Sequence, residues 1–105
     1  MIISTFDFLY YKDFKNGSEK FPSLKDNAFS MSLQVGENFY NALVTYDFVF
    51  KALNIEIYDE NDNLFQPRKR CTYGLNLLYI IGYYLVWDID NNRFIFGSGS
   101  EDEVL

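Results

Sequence analysis

The sequence predicts a mainly β protein, a small antiparallel sandwich or curled sheet of about six strands. Three observations carry that reading. The apolar residues are large: 11 Phe and 9 Tyr stand against three alanines, Ala28, Ala42 and Ala52. Rings and β-branched side chains fit a pleated surface better than a helix. Apolar and polar residues also alternate at period two in several short runs, and Gly, Asn and Asp clusters separate those runs at short intervals.

The elements follow in order. Ile2 to Tyr11 reads as a strand, with Phe6, Phe8 and Tyr10 alternating against Asp7 and Leu9. Asn16-Gly17 is a turn signal, because both residues tolerate positive φ. Phe21-Pro22-Ser23 opens a short irregular or helical piece that runs to Asn27. Phe29 to Val35 is the cleanest amphipathic strand: Phe29, Met31, Leu33 and Val35 on one side, Ser30, Ser32 and Gln34 on the other. Gly36-Glu37-Asn38 ends it. Residues 39–53 admit two readings. Val44, Tyr46, Phe48 and Phe50 share a face at period two; Phe39, Leu43, Tyr46, Phe50 and Leu53 share one at helical spacing. The composition of 43–50 favours strand. The alternative is an α+β fold, with one helix at 39–53 packed on an antiparallel sheet.

Ile55 to Tyr58 and Leu64 to Gln66 read as a hairpin around the polar turn Asp59–Asn63. Tyr73 to Ile81 and Tyr83 to Ile89 are near-continuous apolar runs, as strands covered on both faces would be, with a bend or bulge at Gly82. Asp90-Asn91-Asn92 turns the chain into Arg93–Phe96. Residues 98–105 read as a flexible acidic tail. With 105 residues the chain is expected to form a single domain spanning 1–105.

Composition excludes much chemistry. There is no histidine and a single cysteine, Cys71. Histidine-based catalysis, Cys/His zinc sites and a disulfide framework therefore lack their parts. Asp59, Asn61 and Asn63, and likewise Asp88, Asp90 and Asn92, have the first oxygen spacings of a calcium loop. Both lack the glycine at position six and the glutamate at position twelve. They read as Asx-rich turns, and no metal or cofactor is expected. Asp88 and Asp90 fall on one strand face with Cβ atoms about 7 Å apart. As an acid–base pair they would need a deep cleft, so a solvated strand end is the simpler reading. Cys71 opens an apolar run and is expected to be buried and inert, despite Arg68-Lys69-Arg70 beside it. Gly97-Ser98-Gly99-Ser100 lacks the lysine of a phosphate loop. No enzyme activity is expected.

The net charge is −6. It disfavours direct nucleic-acid binding and favours a basic partner. The charge is uneven. Residues 52–67 carry four acids and no base, 68–70 carry three bases, and 71–105 carry five acids and one base. Arg68-Lys69-Arg70 reads as a solvated strand start paired with Glu56, Asp59 or Glu60 across the hairpin. The run from Cys71 to Trp87 is uncharged. It contains Thr72, Asn76, two glycines and four tyrosines, so buried strands are preferred to a membrane span. With no secretory leader evident before Leu9, a cytoplasmic location is expected.

One fifth of the residues are aromatic, more than one small core is expected to hide. Rings beside carboxylates make a protein-binding surface: rings supply area and acids supply steering. The expected partner-binding residues are Glu56, Tyr58, Asp59, Glu60, Asp62, Tyr84, Asp88 and Asp90. The expected function is that of a non-enzymatic acidic protein that neutralises a basic protein partner. A nuclease toxin or another nucleic-acid-handling protein fits that description, which makes the chain alike in class to toxin immunity proteins and phage-encoded inhibitors. The alternative is a structural subunit of a homodimer or larger assembly, in which the rings form the seam.

Overall fold

The structure, a computed structural model, describes residues 1–8, 28–47 and 49–99. Over these residues the protein is all β, with seven strands in two antiparallel sheets. The strands are β1 (Ile2–Asp7), β2 (Ala28–Val35), β3 (Asn38–Asp47), β4 (Ala52–Asp59), β5 (Leu64–Arg70), β6 (Tyr83–Asp88) and β7 (Arg93–Ser98). No helix occurs among the described residues, so the helix alternative for 39–53 is corrected to two strands and a turn. The expected turn at Asn16-Gly17, the piece from Phe21 to Asn27 and residues 100–105 of the expected tail lie outside the described residues. Ser98, expected to open that tail, closes β7 instead and pairs with Tyr83. The strands group into two units, β2–β5 from the middle of the chain and β1, β6 and β7 from its two ends.

The middle unit is a meander in the order β2-β3-β4-β5. Its alternation is that of a sheet with one covered face. Met31 and Leu33 on β2, Ala42, Val44 and Tyr46 on β3, and Leu53, Ile55 and Ile57 on β4 are buried. Each fully buried Leu, Ile or Met contributes roughly 1.5–3 kcal/mol. The intervening Ser30, Ser32, Gln34 and Asn41 are exposed. Gly36-Glu37 joins β2 to β3 as a two-residue turn with Val35 opposite Asn38. Gly36 takes φ +64 there, the conformation a type II′ turn demands at its first position. β3 ends earlier than the pattern of 43–50 predicts. Asp47 Oδ1 accepts the amides of Val49 (2.9 Å) and Phe50 (3.2 Å), and Lys51 enters the left-handed region at φ +52. That Asx turn reverses the chain inside an apolar stretch. β5 is an edge strand with two irregularities in its pairing to β4, and Pro67, Arg68, Lys69 and Arg70 lie along it. Proline removes a donor and the bases repel another edge, so this edge resists adding a strand.

The unit built from the chain ends has the order β1-β7-β6. The central pairing holds Tyr84 opposite Gly97, Leu85 opposite Phe96, Val86 opposite Ile95 and Trp87 opposite Phe94. All eight are buried, which is why β6 and β7 read as continuous apolar runs. Paired residues share a face, so the sheet has two distinct sides. One carries Tyr84, Val86 and Ile95. The other is aromatic: Trp87 lies 4.6 Å from Phe94 and meets Phe8 edge-on at 6.4 Å, while Tyr83 stacks with Phe96 at 6.1 Å. Met1 exchanges hydrogen bonds of 2.6 and 2.9 Å with Ser98, extending the β1–β7 ladder.

Residues 73–81, expected as a strand, are irregular. Gly74 takes φ +84 and Gly82 φ +88. The segment still supplies the pairing that a strand would. Leu77 N–H donates to Leu85 C=O at 2.7 Å, Asn76 Oδ1 accepts Leu85 N–H at 3.0 Å, and Asn76 Nδ2 donates to Tyr83 C=O at 3.2 Å. A side-chain amide thus stands in for a peptide group beside β6, and Leu77 and Leu78 are buried next to it.

Candidate partner-binding site

The expected partner residues divide between the two units. In the middle unit, Glu56 and Tyr58 sit on the open face of β4, pointing away from buried Ile55 and Ile57. Arg68 approaches Glu56 Oε1 through both Nε and Nη2, at 3.2 and 3.1 Å. Arg68 of the basic cluster therefore pairs across the hairpin with Glu56, one of the three acids expected as partners. The Tyr58 hydroxyl donates to Glu56 Oε2 at 2.8 Å. That hydrogen bond, then desolvation and the charge of Glu56, lift the Tyr58 phenol above its ordinary range, with Arg68 opposing. Asp59 has a local task. Its Oδ1 accepts the amides of Asn61 and Asn63, both at 2.9 Å, and its backbone amide donates to Asn63 C=O at 2.8 Å. The calcium-like oxygen spacing is thus used to fold a turn, with Asp62 at φ +62. Glu60 and Asp62 are exposed at the tip of that turn. Leu64 and Phe65, which follow it, are 55% and 41% exposed.

In the unit of β1, β6 and β7, Tyr84 is fully buried. It is corrected from a surface residue to a core residue. Its partner across the sheet is Gly97, where an added Cβ would collide with the Tyr84 phenol and with Met1 O. The glycine leaves room for the ring, and its pairing with a large ring is the signal that could have placed Tyr84 inside. Asp88 Oδ2 accepts from Asn91 Nδ2 at 2.8 Å and from Arg93 Nε at 3.1 Å. Partial burial opposes ionisation of Asp88. Hydrogen bonds from Asn91 and Arg93, and the Arg93 charge, outweigh it and hold the carboxyl below the ordinary carboxylate range. Asp90 is exposed.

The same unit contains a feature that alternation alone does not reveal. A concavity of about 370 Å³ lies over the sheet. Ile2, Val86 and Ile95 form its apolar part, and Tyr73 and Asn91 also line it. Asp88, Asp90 and Arg93 bring charge to it. Cys71 is buried. Among the described residues no group of three or more Asp, Glu or Cys is placed to hold a metal ion, and no helix is long and apolar enough to cross a membrane.

The eight expected residues thus fall into three sets. Tyr84 is core. Glu56, Tyr58, Asp59 and Asp88 are engaged in internal hydrogen bonds. Glu60, Asp62 and Asp90 stand outward at two hairpin tips. No protein-family model and no curated protein matches the chain.

Proposed function

We propose that this protein is a non-enzymatic acidic binding protein that neutralises a basic protein partner, in the manner of a toxin immunity protein or a phage-encoded inhibitor acting in the cytoplasm. The supporting observation is the division of labour among its acids. Glu56 and Asp88 are charge-paired and Asp59 folds its turn, whereas Glu60, Asp62 and Asp90 are exposed at hairpin tips. Tip carboxylates on a chain of net charge −6 steer a basic surface toward those loops. A surface that normally holds phosphates, as on a nuclease or another nucleic-acid-handling protein, has the complementary charge.

The test is capture on the immobilised chain from the native host's extract, with identification by mass spectrometry. The expected result is a basic protein that elutes at moderate salt and is lost with a Glu60→Lys/Asp62→Lys/Asp90→Lys variant. A captured protein that is acidic, or that ignores both salt and charge reversal, would contradict the proposal. The second reading is a structural subunit, and one observation favours it: Val49 and Phe50, at the β3–β4 tip, are 84% and 70% exposed. Light scattering separates the two. A stable oligomer supports the second, a monomer the first.

A further inference from the structure

Two turns and one row of apolar side chains meet at one end of the β2–β5 sheet. Val35 lies opposite Asn38 at the β2–β3 turn, and Tyr40 lies opposite Asp59 where β4 enters its turn to β5. Both turns are therefore at the same end. Strand pairing then defines the open face there. Asn41 and Leu64 both stand opposite Tyr58, and paired residues share a face. Phe39 is two residues before Asn41 on β3, so it lies on that face diagonal to Tyr58, within about 7–8 Å. Phe39, Tyr58 and Leu64 thus form one continuous row, and its two outer members are 45% and 55% exposed. The hydroxyl of the middle ring is tied to Glu56 at 2.8 Å. Beside this row the two turns carry Glu37, Glu60 and Asp62, all exposed. Among the described residues, the bases of this sheet are engaged or elsewhere. Arg68 pairs with Glu56, while Lys51, Lys69 and Arg70 stand by the start of β4.

We propose that this end of the sheet is the surface that docks the protein partner, and that the partner's matching surface is apolar at its centre and basic at its margin. The proposal rests on the reading of the partner as a basic protein and locates the contact on Phe39, Tyr58 and Leu64, with Glu37, Glu60 and Asp62 beside them. Apolar side chains half in water and rimmed by polar groups gain by being covered. The carboxylates beside them select the charge of what covers them. A second copy docked through the same end would set carboxylate against carboxylate, and a nucleic-acid backbone meets the same repulsion.

The experiment titrates the isotope-labelled full chain with the peptide acetyl-Leu-Leu-Arg-Arg-Arg-amide and follows backbone amide shifts. The amides of Glu37, Phe39, Tyr58, Glu60 and Leu64 should move and saturate in about the millimolar range expected for so small a ligand. Replacing both leucines of the peptide by serine should weaken it roughly threefold or more. Replacing its arginines by glutamate should leave these amides unmoved. Phe39→Ser/Leu64→Ser changes two exposed side chains and should bring the leucine peptide down to the level of the serine one. Glu37→Lys/Glu60→Lys should weaken both. Shifts confined to other parts of the chain, or equal shifts with the glutamate peptide, overturn the assignment. So does movement of the same amides when the chain alone is concentrated, which would make a second copy the occupant. If the peptide misses this end but the intact chain binds a basic protein in a salt-sensitive way, the location alone is wrong. If it binds none, the wider reading falls as well.

Discussion

Two residues set the tone of the β6–β7 unit. Asp88 is held ionised by Asn91 and Arg93 and titrates below its ordinary value of 3.8. A depressed folded value means that its contribution to stability is fully present above the unfolded value and is lost as pH falls through the folded one. Asp88→Asn should cost about 1 kcal/mol at pH 6, a figure lowered because the Arg93 partner is 37% exposed. The gap from wild type should narrow steadily below about pH 4. Urea unfolding across pH measures both, and a gap independent of pH would contradict the assignment. Gly97 is the second residue. Because Tyr84 occupies the space of a Cβ there, Gly97→Ala should cost about 1–3 kcal/mol. The same change in a Tyr84→Val background should cost much less, and an unaltered cost would show that the ring is not the obstacle.

At the scale of elements, legibility follows the backbone's use of its own hydrogen bonds. β2 is readable in the sequence because Ser30, Ser32 and Gln34 alternate with Met31 and Leu33, and burial follows that alternation. The β4–β5 and β6–β7 hairpins are readable because their Asx-rich turns lie between apolar runs. The Asp47–Lys51 turn is hidden by the apolar residues Phe48, Val49 and Phe50, although Asp47 carries the signal: an Asx acceptor for the amides that follow it. The segment 73–81 misleads for a different reason. It is apolar like a strand and is buried in part like one, but an Asn76 side chain replaces the peptide groups that a strand would use. Asn76→Ala should therefore cost about 2–3 kcal/mol, since Leu85 N–H and Tyr83 C=O lose their partner beside β6. Asn76→Asp, which keeps the acceptor and loses the donor, should cost less. Equal stability of Asn76→Ala and wild type in chemical denaturation would remove the proposed role of that amide.

For the whole molecule, composition gives a chain with no histidine and a net charge of −6, and geometry sorts the described acids. The partnership of Arg68 with Glu56 is legible from charge order across a hairpin. The concavity is not, because Ile2, Tyr73 and Asp90 come from three separate stretches of sequence and only the sheet β1-β7-β6 and its loops bring them to one lining. The acids that chain position marks as one class are physically of two kinds, those that fold turns or pair with arginine and those that face outward. Binding that depends on Glu60, Asp62 and Asp90 but not on Glu56 would reflect that division. Steering of a basic partner by the outward acids is the proposal that an association rate can decide. The measurement that tests it most directly is the stopped-flow association rate with the captured partner, at low and high salt. The rate should fall about tenfold or more with salt, and fall similarly in the Glu60→Lys/Asp62→Lys variant at low salt. A rate unchanged by salt and by charge reversal would contradict it.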